Sequence, residues 1–231
     1  MNRRAYQMND EFIADLTNSK FYRMLFDGKD VVMIYIAGSR IYNVLDDRSD
    51  YDIVVITNKD YQDHPNEYLT YKGKKVHWYW RNIDNFIETG KTYIMNYYGN
   101  VLFGHICEDC IIYKNEKYTD RINQLLERKH EIELNGAKLF YESQKQLVES
   151  ICKKSRIDES DYTKFLGHLC VTSYYMLNEP IDASVVLPAK RIRWQPVDED
   201  TKGKIIERLR LLKDFMETKS QYGVASKEVN Q

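Results

Sequence analysis

VVMIYIAGSRIYNVLDDRSDYDIVVIT, residues 31–57, is the stretch that decides the fold. Its first seven residues, Val31–Ala37, are apolar without a break, and Gly38-Ser39 stops the run. Arg40 to Leu45 is a short amphipathic segment and Asp46 to Ser49 a polar turn. Asp50-Tyr51-Asp52 then opens a second apolar run, Ile53 to Ile56. Short apolar runs bounded by turn residues read as strands. The whole stretch therefore reads as strand, tight turn, short helix, loop, strand. Alternate side chains of a strand share a face, so Asp50 and Asp52 are expected to project together, with Tyr51 turned away.

Two carboxylates held a few Å apart repel each other. A divalent cation relieves that repulsion, and an oxygen donor set of this kind suits magnesium or manganese. Gly38-Ser39 offers what a phosphate needs: a glycine that lets the backbone come close, a hydroxyl donor, and N–H groups at a helix start. Taken singly, each feature has an ordinary explanation. Gly-Ser often precedes a helix, and Asp-x-Asp at a strand start is often a solvated turn. In this order, between two apolar strands, they make the equipment of phosphoryl or nucleotidyl transfer.

The spacing of Gly38-Ser39 and Asp50-Tyr51-Asp52, with residues 40–49 between them, resembles the signature of the DNA polymerase β-like nucleotidyltransferase superfamily. GSRIYNVLDDRSDYDI is similar in particular to a branch of bacterial and viral nucleotidyltransferases that includes those associated with RNA repair. Val76 to Ile87, VHWYWRNIDNFI, resembles that branch's strand-then-helix segment. Lys164 to Leu169, KFLGHL, is similar to a helical segment with a central histidine. The resemblance implies an α/β (α+β) fold, a small mixed sheet flanked by helices with a C-terminal helical domain behind it. It implies a nucleoside triphosphate, ATP among them, bound with magnesium and attacked at the α-phosphate by an acceptor hydroxyl. Carried over by residue, Gly38 and Ser39 contact the triphosphate, and Asp50 and Asp52 hold the metal. Arg40 and Arg48 are further candidates for the phosphates, since guanidinium forks suit them; either is equally read as a solvated surface charge.

One position departs from the family pattern. The superfamily supplies a third carboxylate on a later strand as the base for the acceptor. Here the matching strand is Val76 to Trp80, and the position falls on His77. Histidine suits a base near neutral pH but is a poor magnesium ligand. Three readings follow: His77 substitutes as the base, another acid such as Glu67 takes that part, or the protein binds nucleotide without efficient transfer. A fourth is a histidine simply packed beside two tryptophans.

Outward from this stretch, 231 residues with 43% hydrophobic and 30% charged content fit a globular protein. A formal net charge of −1 gives no bulk argument for nucleic acid or a membrane surface. The 19 tyrosines suit half-buried surfaces or stacking. No apolar run approaches the roughly 20 residues of a membrane span, and MNRRAYQMNDEF lacks the apolar core of a secretory signal. Four cysteines make no disulfide framework, so a reducing cytoplasmic setting is the expectation.

Asn9 or Asp10 is expected to cap a helix that ends at Asp27-Gly28. Glu67 to Tyr71 and Val76 to Trp80 form a hairpin about Lys72-Gly73. A helix starts at Asp84, another piece covers Tyr93 to Tyr98, and Ile111 to Tyr113 is a strand closing a first domain, 1–115. The second, 116–231, is helical: a long pattern from Thr119 interrupted at Gly136, a helix from Asp161 to Leu177, a loop from Ile181 to Asp200, an amphipathic helix from Lys202 to Lys219, and a frayed tail. Cys107-x-x-Cys110 near His105 reads as a turn rather than a zinc or redox site. Lys190-Arg191-Ile192-Arg193-Trp194 suits a polynucleotide acceptor or a solvated loop, and His168 reads as an interior histidine.

Two functions therefore stand in view. One is a magnesium-dependent nucleotidyltransferase that moves NMP from an NTP to a hydroxyl on RNA, protein or a small molecule. The other is a degenerate nucleotide-binding module, regulatory or antitoxin-like, that lacks the third carboxylate.

Overall fold

A computed structural model describes residues 11–19, 23, 27–42, 49–59, 67–87, 106–161, 163–192 and 197–228. The chain separates into two compact units, Met1–Gly136 and Ala137–Gln231. The first holds helix α1 (Glu11–Asn18), strands β1 (Val31–Ala37), β2 (Tyr51–Thr57), β3 (Glu67–Tyr71) and β4 (Lys74–Asn82), the short helix α2 (Ile83–Ile87) and β5 (Ile111–Lys114). Helix α3 (Thr119–Ser143) starts in it. The sheet is mixed, in the order β3-β4-β2-β1-β5. β1 runs antiparallel to β2 and β5, β2 runs parallel to β4, and β3 returns antiparallel on β4. The expected α/β fold with helices following it is the observed one.

Every residue of β1 and β2 is buried, because both sheet faces are covered. That is why their sequences run apolar without alternating. On one face Met33, Tyr35, Val54, Ile56 and Tyr79 pack with Ile83, Ile122, Leu125 and Ile132. On the other, Ile34, Ile36, Ile53, Val55, Trp78 and Trp80 pack with Leu16 of α1 and Cys110. The expected hairpin forms between β3 and β4. Lys72 and Gly73 both take positive φ, 46° and 77°, the backbone that a two-residue turn needs to follow the twist of its strands.

Helix α1 ends at Asn18 rather than at Asp27-Gly28, and three later elements also differ from the sequence expectation. α3 does not break at Gly136; it runs on to Ser143, and the break comes at Gln144, where φ is −111° and ψ 12°. A glycine inside a helix costs only about 1 kcal/mol, and buried Ile132 and Ala137 on either side of it outweigh that. The stretch read as a loop from Ile181 contains a helix, α6 (Ala183–Arg191), started by Asp182, whose side chain accepts the Ser184 N–H at 2.8 Å. Pro188 inside it gives up one backbone bond, which burial of Val186, Ala189 and Ile192 offsets. The last helix, α7 (Glu199–Glu228), is longer than Lys202 to Lys219 and includes part of the tail read as frayed. Asp198 caps it, accepting the Thr201 N–H at 2.8 Å and the Thr201 hydroxyl at 3.0 Å. The expected piece at Tyr93 to Tyr98 lies outside the described residues.

The second unit also holds α4 (Lys145–Cys152) and α5 (Lys164–Met176). α5 packs on α6, and α7 packs on α4 and α5. Gly167 brings α5 so close to α6 that an added Cβ would lie 2.0 Å from the Ala189 carbonyl oxygen. Among the described residues no helix is long and apolar enough to cross a membrane.

Candidate active site

The Gly38 turn and the second strand meet at one atom. Gly38 has φ +73°, a left-handed backbone that side chains disfavour. A Cβ on it would sit 2.2 Å from Oδ2 of Asp52 and 3.0 Å from its Cγ. The position thus demands glycine twice, for its backbone and for the carboxylate laid against it. Register explains the meeting: Ala37, the last residue of β1, pairs with Asp52 in β2. The chain leaving β1 therefore turns directly over the Asp52 side chain.

Asp52 is only 5% exposed. A carboxylate that buried needs donors. Tyr79 supplies one, its hydroxyl donating to Asp52 Oδ1 at 3.0 Å. His77 is the register partner of Asp52 on the parallel strand β4, and its Nδ1 lies 3.8 Å from the same Oδ1. The His77 and Tyr79 rings are stacked with centroids 3.9 Å apart and tilted by 43°. Next along the same face, Arg81 is buried, with its guanidinium carbon 5.7 Å from the centre of the Tyr79 ring. Tyr35 of β1 is fully buried on that face. Burial pushes its phenol above the ordinary tyrosine range, Glu133 adds to the rise and Arg81 opposes it, so the ring stays neutral at any ordinary pH.

The structure thus brings Gly38, Asp52 and His77 together. Asp50 stands just ahead of β2, partly exposed, with its backbone carbonyl accepting from Arg40 Nε at 3.2 Å. Ser39 follows Gly38 in the 3-10 turn Gly38–Tyr42 and is half-buried. Arg40 is buried, and its guanidinium lies over the Tyr51 ring at 3.2 Å. Tyr51 belongs to the opposite face of the sheet, so this arginine braces the Asp-x-Asp segment from behind. Arg48 lies outside the described residues. Glu67 pairs in register with Trp78, one residue out of step with His77.

The remaining sequence candidates fall elsewhere. Cys107 and Cys110 are thiols around a 3-10 turn that leads into β5. The Cys107 side chain and burial hold the Cys110 thiol far above its usual range, which suits a turn rather than a reactive pair. His168 is buried beside Phe140, ring centroids 6.4 Å apart. Lys190 and Arg191 end α6, while Arg193 and Trp194 lie outside the described residues. Lys72 of the hairpin pairs with Asp15 of α1 at 2.5 Å. Tyr79 and Arg81 are the site residues that sequence reading passed over. Their signal was present in His77-Trp78-Tyr79-Trp80-Arg81, where His77, Tyr79 and Arg81 alternate with tryptophan on a strand and so share the face of His77.

Magnesium keeps several of its waters and is held through one or two carboxylates and the phosphates of its substrate. Carboxylates such as Asp50 and Asp52 are the donor type that mode uses, whereas imidazole is not a donor magnesium favours. Among the described residues no group of three or more His, Cys, Asp and Glu is placed to hold a metal ion.

No protein-family model matches the chain, and no curated protein matches it. Among solved structures, the chain is similar to a nucleotidyltransferase-like protein from Exiguobacterium sibiricum 255-15, at 14% identity over 88% of this chain and 74% of that one, with a TM-score of 0.31. At that identity and TM-score the likeness carries no argument about the site, which rests on its own geometry.

Proposed function

We propose that the protein is a magnesium-dependent nucleotidyltransferase that moves NMP from an NTP to an acceptor hydroxyl on RNA, protein or a small molecule. The observation that supports this reading best is the Gly38 turn laid against the buried Asp52 carboxylate, with His77 beside it in register. A glycine turn at a strand end lets a triphosphate approach the backbone next to an acidic group, which is the layout phosphoryl chemistry uses. Asp50 and Asp52 would hold magnesium, which supplies screening of the triphosphate charge when bound. Gly38 and Ser39 would orient the phosphates. An acceptor oxygen would bond to the α-phosphorus as the bond to the β-phosphate bridge breaks and pyrophosphate leaves. His77 would take the acceptor's proton, and the Asp52 oxygen 3.8 Å from its Nδ1 would stabilise the imidazolium.

The test is incubation of purified protein with each labelled NTP, magnesium and candidate acceptors. Incorporation that disappears in Asp50→Ala with Asp52→Ala supports the proposal. Incorporation that survives the double change, or none with any acceptor, removes it. The same His77 position favours a second reading, because it puts an imidazole where the family pattern has a carboxylate: a nucleotide-binding regulatory module. Magnesium-dependent NTP binding by calorimetry with no turnover, alone or with a partner, would select that one.

A further inference from the structure

Tyr79 touches the Asp52 carboxylate but has no part in the reaction written above. Its hydroxyl donates to Oδ1 at 3.0 Å inside the sheet core. Oδ2, the other oxygen, is the one facing the Gly38 turn. The two contacts divide the carboxylate. One oxygen accepts from Tyr79, and the other lies against the turn that the proposed function assigns to the phosphates. The Tyr79 ring is itself fixed, stacked on His77 at 3.9 Å on one side and lying 5.7 Å from the Arg81 guanidinium carbon. Strand alternation puts all three on the face of Asp52, and the parallel register sets His77 directly beside it.

We infer that Tyr79 is a positioning residue that holds Asp52 in one rotamer for the cation accompanying the nucleotide. This rests on the nucleotidyl-transfer reading and deepens it. A donor that orients a metal-binding carboxylate changes metal affinity more than it changes nucleotide recognition. Tyr79→Phe keeps the ring between His77 and Arg81 and removes only the hydroxyl. Its expected effect is on the order of a 10- to 100-fold rise in the magnesium concentration giving half-maximal activity. At saturating magnesium the KM for NTP stays at the wild-type value.

The experiment titrates magnesium at saturating NTP for wild type, Tyr79→Phe and Asp52→Asn. In parallel it follows manganese binding to the protein–ATP mixture by electron paramagnetic resonance, a readout that needs no turnover. Weaker manganese binding in Tyr79→Phe together with a shifted magnesium midpoint supports the inference. A uniform loss of kcat at every magnesium concentration with an unmoved midpoint means a merely structural role and overturns it. So does a Tyr79→Phe protein whose manganese binding equals wild type. If wild type binds no manganese with ATP and turns nothing over, the nucleotidyl-transfer reading fails first and takes this one with it; the two failures are told apart by the wild-type arm.

Discussion

Replacing Gly38 with alanine probes the point where fold and site coincide. Two costs are built into it. The first is the backbone: an alanine at φ +73° costs about 1–2 kcal/mol. The second is steric. The new Cβ would lie 2.2 Å from Asp52 Oδ2 and 3.2 Å from Asp52 Cβ, far inside contact distance. Either the turn or the carboxylate must move, and moving the carboxylate breaks its hydrogen bond from Tyr79, a bond to a charged group worth about 1.5–3 kcal/mol. Gly38→Ala should therefore lose about 2.5–5 kcal/mol, a large share of a typical domain's stability. The fold itself provides controls. Gly28 and Gly73 also have positive φ, +71° and +77°, but a Cβ at either meets nothing within 4 Å. Alanine there should cost only the backbone part, about 1–2 kcal/mol. The assay is urea unfolding of all three variants, repeated for Gly38→Ala in an Asp52→Ala background. If the carboxylate is the obstacle, the second background recovers about 2 kcal/mol of the Gly38 loss as a coupling energy. Additive losses, or a Gly38→Ala cost no larger than those at Gly28 and Gly73, would refute the reasoning.

Two further outcomes follow from the second unit. Gly167→Ala should destabilise by about 1–3 kcal/mol despite alanine's better helix propensity, since the Cβ would press on the Ala189 carbonyl at 2.0 Å; a variant as stable as wild type in thermal unfolding would show that α5 and α6 can part without loss. Burial alone would raise the pKa of Asp161, but Lys154 Nζ at 2.5 and 2.7 Å and the Asp158 N–H at 2.9 Å outweigh it and hold the pKa below the usual carboxylate value. A lowered pKa means the folded state favours the ionised form, so this stability is full above about pH 4 and fades as pH falls through the folded value. Asp161→Asn should cost about 1–2 kcal/mol at pH 7 and progressively less below pH 4; an equal loss at pH 7 and pH 3 in denaturant titrations would contradict the ion pair.

Much of the sheet was legible because its signals are local. Two unbroken apolar runs, a Gly-Ser stop and a Lys-Gly turn each depend on a few neighbouring residues. What failed was also local. Gly136 and Pro188 both sit inside helices, where burial of their helical neighbours outweighs a cost of about 1 kcal/mol or one backbone bond. Arg40 shows the other kind of limit. Its chemistry suits phosphate, but its direction depends on Tyr51, eleven positions away, which draws it to the far face of the sheet.

By itself, the sequence determined the strands and the Gly38-Ser39 stop, because these are matters of backbone period and residue type. Only the tertiary structure decided that β4 lies parallel beside β2 in the register that sets His77 against Asp52, and that Tyr79 donates to its carboxylate. The physical reason is that strand register is fixed by packing on both faces of the sheet at once. No single stretch carries it, so neither the neighbour of Asp52 nor the atom that crowds Gly38 can be read from residues 31–57 alone.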